Sequence, residues 1–439
     1  RKERRSWLPR LRDAKIRSKL ALILVVPVLA VIGLATLGLV DSGSRAVEAK
    51  LVRSLTELSA SVNALSHEVQ RERMTAAGFV ADLPGTEKVT QEKFSEQVRV
   101  TDERITAYTK QREALGSVPD AVETRLNNID NKLSSITAIR KDVLAKQPAA
   151  VSEVVVRYGV IITTLVSYGE VIGQIAGEGD LADAERALAA FSANKAATGD
   201  AQAVAFSALA DARGGGLGQE QLLGFSSTLT AQQAAQTAFA LAATPQLEEM
   251  VNDSVTGDAV FLADRMEAEL SRSVGGSVSV TAKQASNAFG AVNSLKRHAE
   301  VRLEQKVLAD AEAEYSAVLR RVLIESVFVL VVLIVAITLA VVLARSMVRS
   351  LTRLREGALS VANRDLPDAV ARLRDVRSLG EGSPEEIARQ VRDPIRLPNK
   401  DEVGQVAVAF NVVHREAVRI AAGQAALRTS VSAMFLNLA

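Results

Sequence analysis

Two apolar runs, Leu20–Val40 and roughly Val322–Ala344, are each long enough to cross a membrane, and they leave this chain few ways to fold. A helix rises ~1.5 Å per residue, so each run reaches across a hydrocarbon core ~30 Å thick. Residues 41–321 lie between them, 281 in all, and must share one side of the membrane while both chain ends share the other. That layout predicts an outer region joined through the membrane to an inner one, and it speaks against a soluble enzyme.

The flanks set the orientation. Residues 1–19 carry nine Lys or Arg against two acids, Glu3 and Asp13, and Arg345, Arg349, Arg353 and Arg355 follow the second run before any acid appears at Glu356. Basic flanks stay in the cytoplasm. The chain therefore reads as a multi-pass plasma-membrane protein with both ends inside: a basic tail at 1–19, membrane helices at 20–40 and 322–344, and 41–321 outside. The first run exceeds the ~7–15-residue core of a cleaved signal peptide, which favours a retained helix. The net charge of +2 hides an asymmetry, because setting aside the +7 of residues 1–19 leaves −5 on the other 420. The basic balance thus serves topology and attraction to anionic lipid, and no nucleic-acid partner need be invoked. There is no cysteine, and the three histidines (67, 298 and 414) share no spacing that would make a metal site.

The outer region has helical periodicity almost throughout. Leu51, Leu55, Leu58, Val62, Leu65 and Val69 alternate steps of four and three. A second series runs Phe94, Val98, Thr101, Ile105, Tyr108, Arg112, Leu115, and a third Val122, Leu126, Ile129, Leu133, Ile136. These are bundle seams, with strand-type alternation nearly absent. Breaks at Pro84-Gly85, Gly116 with Pro119, and Pro148, then a helix over about Val151–Gly177, predict a first four-helix bundle at about 41–178. Alanine dominates afterwards. Helices at about Leu181–Arg213, Gly218–Ala243, Gln246–Arg272 and Thr281–Val322 predict a second bundle at about 179–321, its last helix running on into the second membrane run. Gly214–Gly216 with Gly218 invite a phosphate-loop reading, but no Lys-Ser or Lys-Thr follows, so they read as a helix–helix loop.

Inside, Leu351, Leu354, Ala358 and Val361 begin one helix. An irregular stretch over about Asp365–Lys400 follows. A heptad seam then runs Val403, Val406, Phe410, Val413, Ala417, Ile420, Gln424, Leu427, Val431, Met434, Leu438. A helix with such a seam must bury it, and an identical chain is the simplest partner, so a homodimer is expected. The predicted fold class is all-α: two membrane helices, an external double four-helix bundle, and an internal coiled-coil segment.

That inner pattern, with Asp401-Glu402-Val403-Gly404 opening the second helix, resembles a HAMP linker over about Ala344–Gly423, set here at 345–423, with 424–439 starting a signalling helix. The proline usual at the start of the first HAMP helix is Ser350 here, and the connector is about twice the common length. The resemblance assigns signal relay to Leu351, Leu354, Glu402, Val403, Phe410, Val413 and Ile420. The outer region resembles the nitrate- and nitrite-sensing (NIT) domain of bacterial sensor histidine kinases. It does so through Leu65-Ser66-His67-Glu68-Val69-Gln70-Arg71-Glu72-Arg73, with Ile16-Arg17-Ser18-Lys19-Leu20 entering the membrane. Ala426–Leu438 is similar to the segment after HAMP in the same kinases. The resemblance implies a two-component sensor histidine kinase whose phospho-accepting histidine and ATP-binding domain lie beyond Ala439. No cofactor is then expected in this chain, ATP and Mg belonging to that kinase domain. A response regulator or a small-GTPase/Roadblock-type protein would be the partner of the whole.

Arg73 is the leading ligand candidate. Extending the first seam from Val69 reaches Glu72, which leaves Arg73 about 40° off the seam and turns Arg71 away from it. A guanidinium beside a bundle core suits an oxyanion, since its planar fork meets two oxygens at once. The bland alternative is an ion pair with Glu72 or Glu68. Arg71 and Lys195 are further candidates, with His67 and Gln70 able to line such a site. The family's second basic motif corresponds to Lys195-Ala196-Ala197-Thr198-Gly199-Asp200-Ala201-Gln202, and Ala201-Gln202 stand where a Glu-Arg pair is expected. Nitrate or nitrite comes first by resemblance, and the missing arginine leaves weaker binding, another small anion, or no ligand open. No catalytic residue is expected, because no nucleophile elbow, His-Glu-x-x-His pair or nucleotide fingerprint is present. The rival readings are a chemotaxis-type receptor and a structural helical membrane protein without ligand.

Overall fold

The computed structural model describes residues 16–81, 83, 88–146, 150–211, 217–273, 278–368, 371, 394–397 and 401–438. Among these there is no strand, as the periodicity required. The helices are α1 (Ile16–Ala81), α2 (Gln91–Ala114), α3 (Asp120–Ser134), α4 (Ile136–Leu144), α5 (Val151–Ile175), α6 (Asp180–Asp211), α7 (Gln219–Ala242), α8 (Pro245–Ser254), α9 (Asp258–Ser271), α10 (Ala282–Ser360) and α11 (Glu402–Leu438). The breaks read at Pro84-Gly85, Pro148 and Gly214–Gly216 lie outside the described residues, as does most of the Asp365–Lys400 connector.

The chain divides into two compact units. One is Asp41–Leu323 and the other joins Arg1–Val40 with Ile324–Ala439. In the first unit, the seam of α1 is buried at Leu55, Leu58, Val62, Leu65 and Val69, against Phe94 and Tyr108 of α2, Val122–Leu133 of α3, Ile136–Val143 of α4 and Val154–Ile172 of α5. Thr90 caps α2 through its side-chain oxygen, which accepts from the Lys93 N–H. The predicted single helix from Val122 through Ile136 is in fact two, α3 and α4, hinged at Ser135.

The remaining helices hold two apolar clusters. The first gathers Ala201–Ala210 of α6, Phe225 of α7, Ala263–Leu270 of α9 and Ala285–Val292 of α10. The second gathers Ala184–Phe191 of α6, Phe239 of α7, Leu247 and Val251 of α8, and Ala299–Val307 of α10. Alanine lets α6 pack closely on its neighbours: a Cβ placed on Gly169 of α5 would lie 2.9 Å from the Ala189 Cβ. The helix expected over Gln246–Arg272 is a second correction. It breaks between Ser254 and Asp258, because Gly257 takes a positive φ of 97° that ends one helix and starts the next.

Three described helices contain windows apolar enough to cross a membrane, within Val25–Ala81, Val151–Ile175 and Ala282–Asp368. In α5 the apolar residues fill the bundle core, from Val154 to Ile172. On α1 and α10, by contrast, Val26, Leu29, Leu34, Leu37, Leu323, Val327, Phe328, Ile334, Val335 and Leu339 remain uncovered.

In the second unit, a widened π-type turn at Val361–Asp365 follows α10. Asp401 caps α11 by accepting the Gly404 N–H at 2.9 Å. Ile395 of the connector is buried, and a Cβ on Gly357 of α10 would lie 2.6 Å from its Cγ1, so α10 needs glycine there. Asn411 of α11 holds both backbone groups of Ile395, donating from Nδ2 to its carbonyl at 2.8 Å and accepting its N–H at 3.2 Å. The face of α11 packed within the chain is Gly404, Ala407, Asn411, His414, Val418 and Ala422. The predicted seam lies beside it: Val403 and Phe410 are half-buried, while Val406, Val413, Ile420 and Leu427 are exposed. Leu351 and Leu354 are half-buried and Glu402 is exposed.

Candidate functional site

A polar layer separates the two apolar clusters of α6 and α10. On α6 it consists of Ser192, Asn194, Lys195, Thr198 and Gln202, and on α10 of Asn293, Lys296, Glu300 and Glu304, all buried. Within each helix the spacing is mostly three or four residues, so each set forms one stripe. The stripe on α1 that meets them carries His67, Gln70 and Arg73.

Arg73 is 1% exposed and is among the largest fully buried side chains in the molecule. Its Nη1 donates to Asp200 Oδ1 at 2.6 Å. The bland alternative, an ion pair, is present, but its acid is Asp200 and neither Glu68 nor Glu72. Glu72 is instead held by Arg140, whose Nε and Nη2 donate at 2.8 and 2.9 Å, and by the Tyr158 hydroxyl at 2.7 Å. Arg140 donates in turn to Asp102 at 2.7 Å. With Glu72 neutralised by that fork, Arg73 is left to α6. Gly159 of α5 lies against the guanidinium, where a Cβ would sit 3.4 Å from Nη1.

The Nε and Nη2 of Arg73 are buried and have no hydrogen-bond partner among the described residues. They form the side edge of the guanidinium, the edge that meets two oxygens of a planar anion together. One turn earlier, Gln70 donates from Nε2 to the Gly199 carbonyl at 2.8 Å, while its Oε1 has no partner. A Cβ at Gly199 would lie 2.6 Å from that amide nitrogen, so any larger residue there would push the Gln70 side chain from its place. Gln202 donates to the Ser286 carbonyl at 2.9 Å and joins α6 to α10. Arg73, Gln70, Asp200 and Gln202 are thus brought together by two helices.

The other sequence candidates lie elsewhere. Lys195 is buried and its ammonium is committed to Glu300, which also accepts from Arg297 at 2.5 Å and from Ser192 at 2.7 Å. Burial pushes the Glu300 carboxyl up, but Lys195 and Arg297 outweigh it and hold the group below the usual carboxylate range. Arg297 also donates to Glu304 at 2.9 Å, and burial together with the charge on Glu300 raises Glu304 to about 7. His67 faces this cluster. Burial, with Lys195 and Arg297 adding to it, lowers its pKa to about 3, so the imidazole is neutral at ordinary pH. Arg71 is turned outward, half-exposed, and reaches back to Glu68 at 3.3 Å.

Sequence reasoning missed Asp200, Lys296, Arg297, Glu300 and the Glu72–Arg140–Tyr158 group. A signal was present for α10: Asn293, Lys296, Glu300 and Glu304 recur at steps of three and four on a helix whose other stripe is apolar. Lys296 donates to Asn194 Oδ1 and Thr198 Oγ1, each at 2.6 Å, and burial lowers its pKa to about 8.

The described helices thus form bundles crossed by a buried polar layer, in which the Nε/Nη2 edge of Arg73 has no partner among the described residues. The nitrate and nitrite sensing (NIT) family model matches residues 64–310 and the HAMP domain model matches residues 342–419. The chain belongs to the nitrate and nitrite sensing family and carries a HAMP domain, which with its uncovered apolar helices makes it a membrane-associated sensor. The structure of the NasR transcription antiterminator is similar in fold, with a TM-score of 0.55 and 15% identity, covering 88% of this chain and 95% of that one. No curated protein matches the chain.

Proposed function

We propose that this chain is the sensing and relay portion of a transmembrane sensor histidine kinase, and that a small planar anion, nitrate or nitrite first, binds on the Nε/Nη2 edge of Arg73. One observation carries the reading: a guanidinium 1% exposed whose bidentate edge has no partner among the described residues. Leaving such donors unsatisfied in a protein interior costs more than ~1 kcal/mol each, and an oxyanion would satisfy both. Gln70 and Gln202 supply polar walls. Lys195 and His67 support the layer next to the ligand, and Arg71 remains outside it.

Basic flanks at both inner ends support the topology read from the sequence, with 41–321 outside the cell and the ends in the cytoplasm. The exposed row Val406, Val413, Ile420 supports a homodimer through α11. Leu351, Leu354, Glu402, Val403 and Phe410 complete the relay. A downstream response regulator or small-GTPase/Roadblock-type partner belongs to this reading through family resemblance alone.

Titration calorimetry on the full chain in nanodiscs, with nitrate, nitrite, sulfate and small carboxylates at constant ionic strength, tests the ligand. Removing a charge-assisted bidentate contact costs ~1.5–3 kcal/mol, so Arg73→Ala should weaken a true ligand by roughly 10- to 150-fold. Silence across the panel, or binding indifferent to Arg73→Ala, would refute the anion site.

A further inference from the structure

We propose that Asp200 is a tethered counter-anion that opposes the ligand at Arg73, so that an incoming anion must share the guanidinium with this carboxylate or displace it. The proposal rests on the reading of Arg73 as the anion-holding group. It starts from charge. Arg73 and Asp200 cancel, while Arg140, which neutralises Glu72, also faces Asp102, so these five groups hold one acid more than base. The neighbouring cations point at other groups: Lys195 and Arg297 converge on Glu300, Arg297 also meets Glu304, and the Lys296 ammonium donates to the neutral oxygens of Asn194 and Thr198. An anion arriving at Arg73 therefore finds a guanidinium already balanced.

Geometry adds to the effect. Asp200 engages only Nη1, end-on through one oxygen at 2.6 Å, and the Nε/Nη2 edge is left without a partner among the described residues. A guanidinium is only a few ångströms across, so an anion on the side edge comes within a few ångströms of the Asp200 carboxylate. Like charges that close repel strongly in a buried site, where the effective dielectric is far below that of water.

The two partners also differ in freedom. The Arg73 side chain is 2% exposed and that of Asp200 is 35% exposed. Arg73 is fixed between α1, α5 and α6, with Gly159 against it, whereas the Asp200 carboxylate already touches water and can turn out to be hydrated. Ligand entry is then one-sided: the guanidinium stays and the carboxylate leaves. Because the Arg73–Asp200 pair ties α1 to α6, its loss on binding changes how those helices are held together. The ligand thereby acts on packing as well as filling a site.

The test compares the full chain in nanodiscs with Asp200→Asn and Asp200→Ser, titrated with sodium nitrate and sodium nitrite at constant ionic strength, each variant also carrying Arg73→Ala as a control. Helicity and melting without ligand show which variants fold. Freed of its internal competitor, Arg73 should bind the anion at least ~10-fold tighter in a folded Asp200 variant, and Arg73→Ala should abolish the gain. Binding in an Asp200 variant with none in the unmutated chain supports the proposal equally. Arg73-dependent binding by the unmutated chain that is unchanged or weakened in the Asp200 variants would overturn this inference alone and leave the anion site standing. No binding in any protein would overturn both. If neither variant folds, Asp200 is a structural partner and the proposal falls.

Discussion

Glu185 should weaken this protein at neutral pH, and replacing it by glutamine should strengthen it. The carboxyl lies on α6, 2% exposed, and accepts from the Thr56 hydroxyl of α1. That hydroxyl also lies 3.0 Å from the Val52 carbonyl, and its one proton cannot serve both acceptors fully. Burial pushes the Glu185 pKa up to about 7, and the Thr56 contact only partly offsets it. The sign follows. The unfolded chain releases this proton near 4.5 and the folded chain near 7, so the group's stabilising contribution is complete below about pH 4.5 and is lost as pH rises to about 7. The difference corresponds to about 3 kcal/mol at pH 8. Glu185→Gln has no such proton to lose. It should raise the melting temperature of the Asp41–Leu323 unit by roughly 5–10 °C at pH 8, and change it little near pH 4. Thermal unfolding of both proteins, followed by circular dichroism in the same detergent across that range, measures the effect. Glu304 is also raised to about 7, so the comparison must be the difference between the two proteins at each pH. A variant no more stable than the unmutated chain at pH 8, or a gain that does not depend on pH, would refute the reasoning.

Other outcomes follow from the same geometry. Glu72→Gln keeps the shape but turns an acceptor into a donor facing Arg140 or Tyr158, and breaking that buried pair should cost about 3–5 kcal/mol in thermal or urea unfolding. Gly169→Val should destabilise by about 1–3 kcal/mol, because its Cβ would lie 3.3 Å from the backbone Cα of Ala189, which cannot step aside as a flexible side chain could. Phe410→Asp places two like charges across the proposed α11 seam, and crosslinking of the full chain in nanodiscs should shift from dimer towards monomer.

The fold was largely legible in the sequence because seams are local. Leu55, Leu58, Val62, Leu65 and Val69 recur at steps of three and four, and each is buried where those steps placed it. The failures have local causes too. Ser135 breaks α3 from α4 with no proline or glycine to mark it, whereas Val255-Thr256-Gly257 does carry a signal, since glycine followed by aspartate can start a new helix. On α11 the heptad pattern marks a single apolar row, whereas the face covered within the chain includes Asn411 and His414. The site was legible only in part. Arg73 could be placed near the core by counting from Val69. Its partner lies 127 residues on, in an alanine-rich helix with few apolar landmarks, and Lys195 meets an acid 105 residues away. Pairings of that kind depend on which bundle faces which, and one sequence does not encode that in its periodicity.

The position of the polar layer suggests why a small ligand could matter to so large an assembly of helices. Apolar packing resists small displacements, since every shift opens gaps in several contacts at once. A polar layer behaves differently. Its members can exchange one acceptor for another at modest cost, provided each exchange leaves no buried group alone. Here the layer interrupts the apolar filling of α6 and α10 and takes in His67, Gln70 and Arg73 of α1. The helices that carry its two ends, Ile16–Ala81 and Ala282–Ser360, are the same unbroken helices that carry the uncovered apolar runs. On the proposed reading, a ligand that swaps one partner of Arg73 for another acts within this polar layer and on a helix continuous with a membrane-length run. It can bias the packing only by the difference in its affinity for the two arrangements. A site with an open guanidinium edge beside an aspartate that can swing to water provides such a difference, because only one of the two arrangements leaves the edge free of a competing charge.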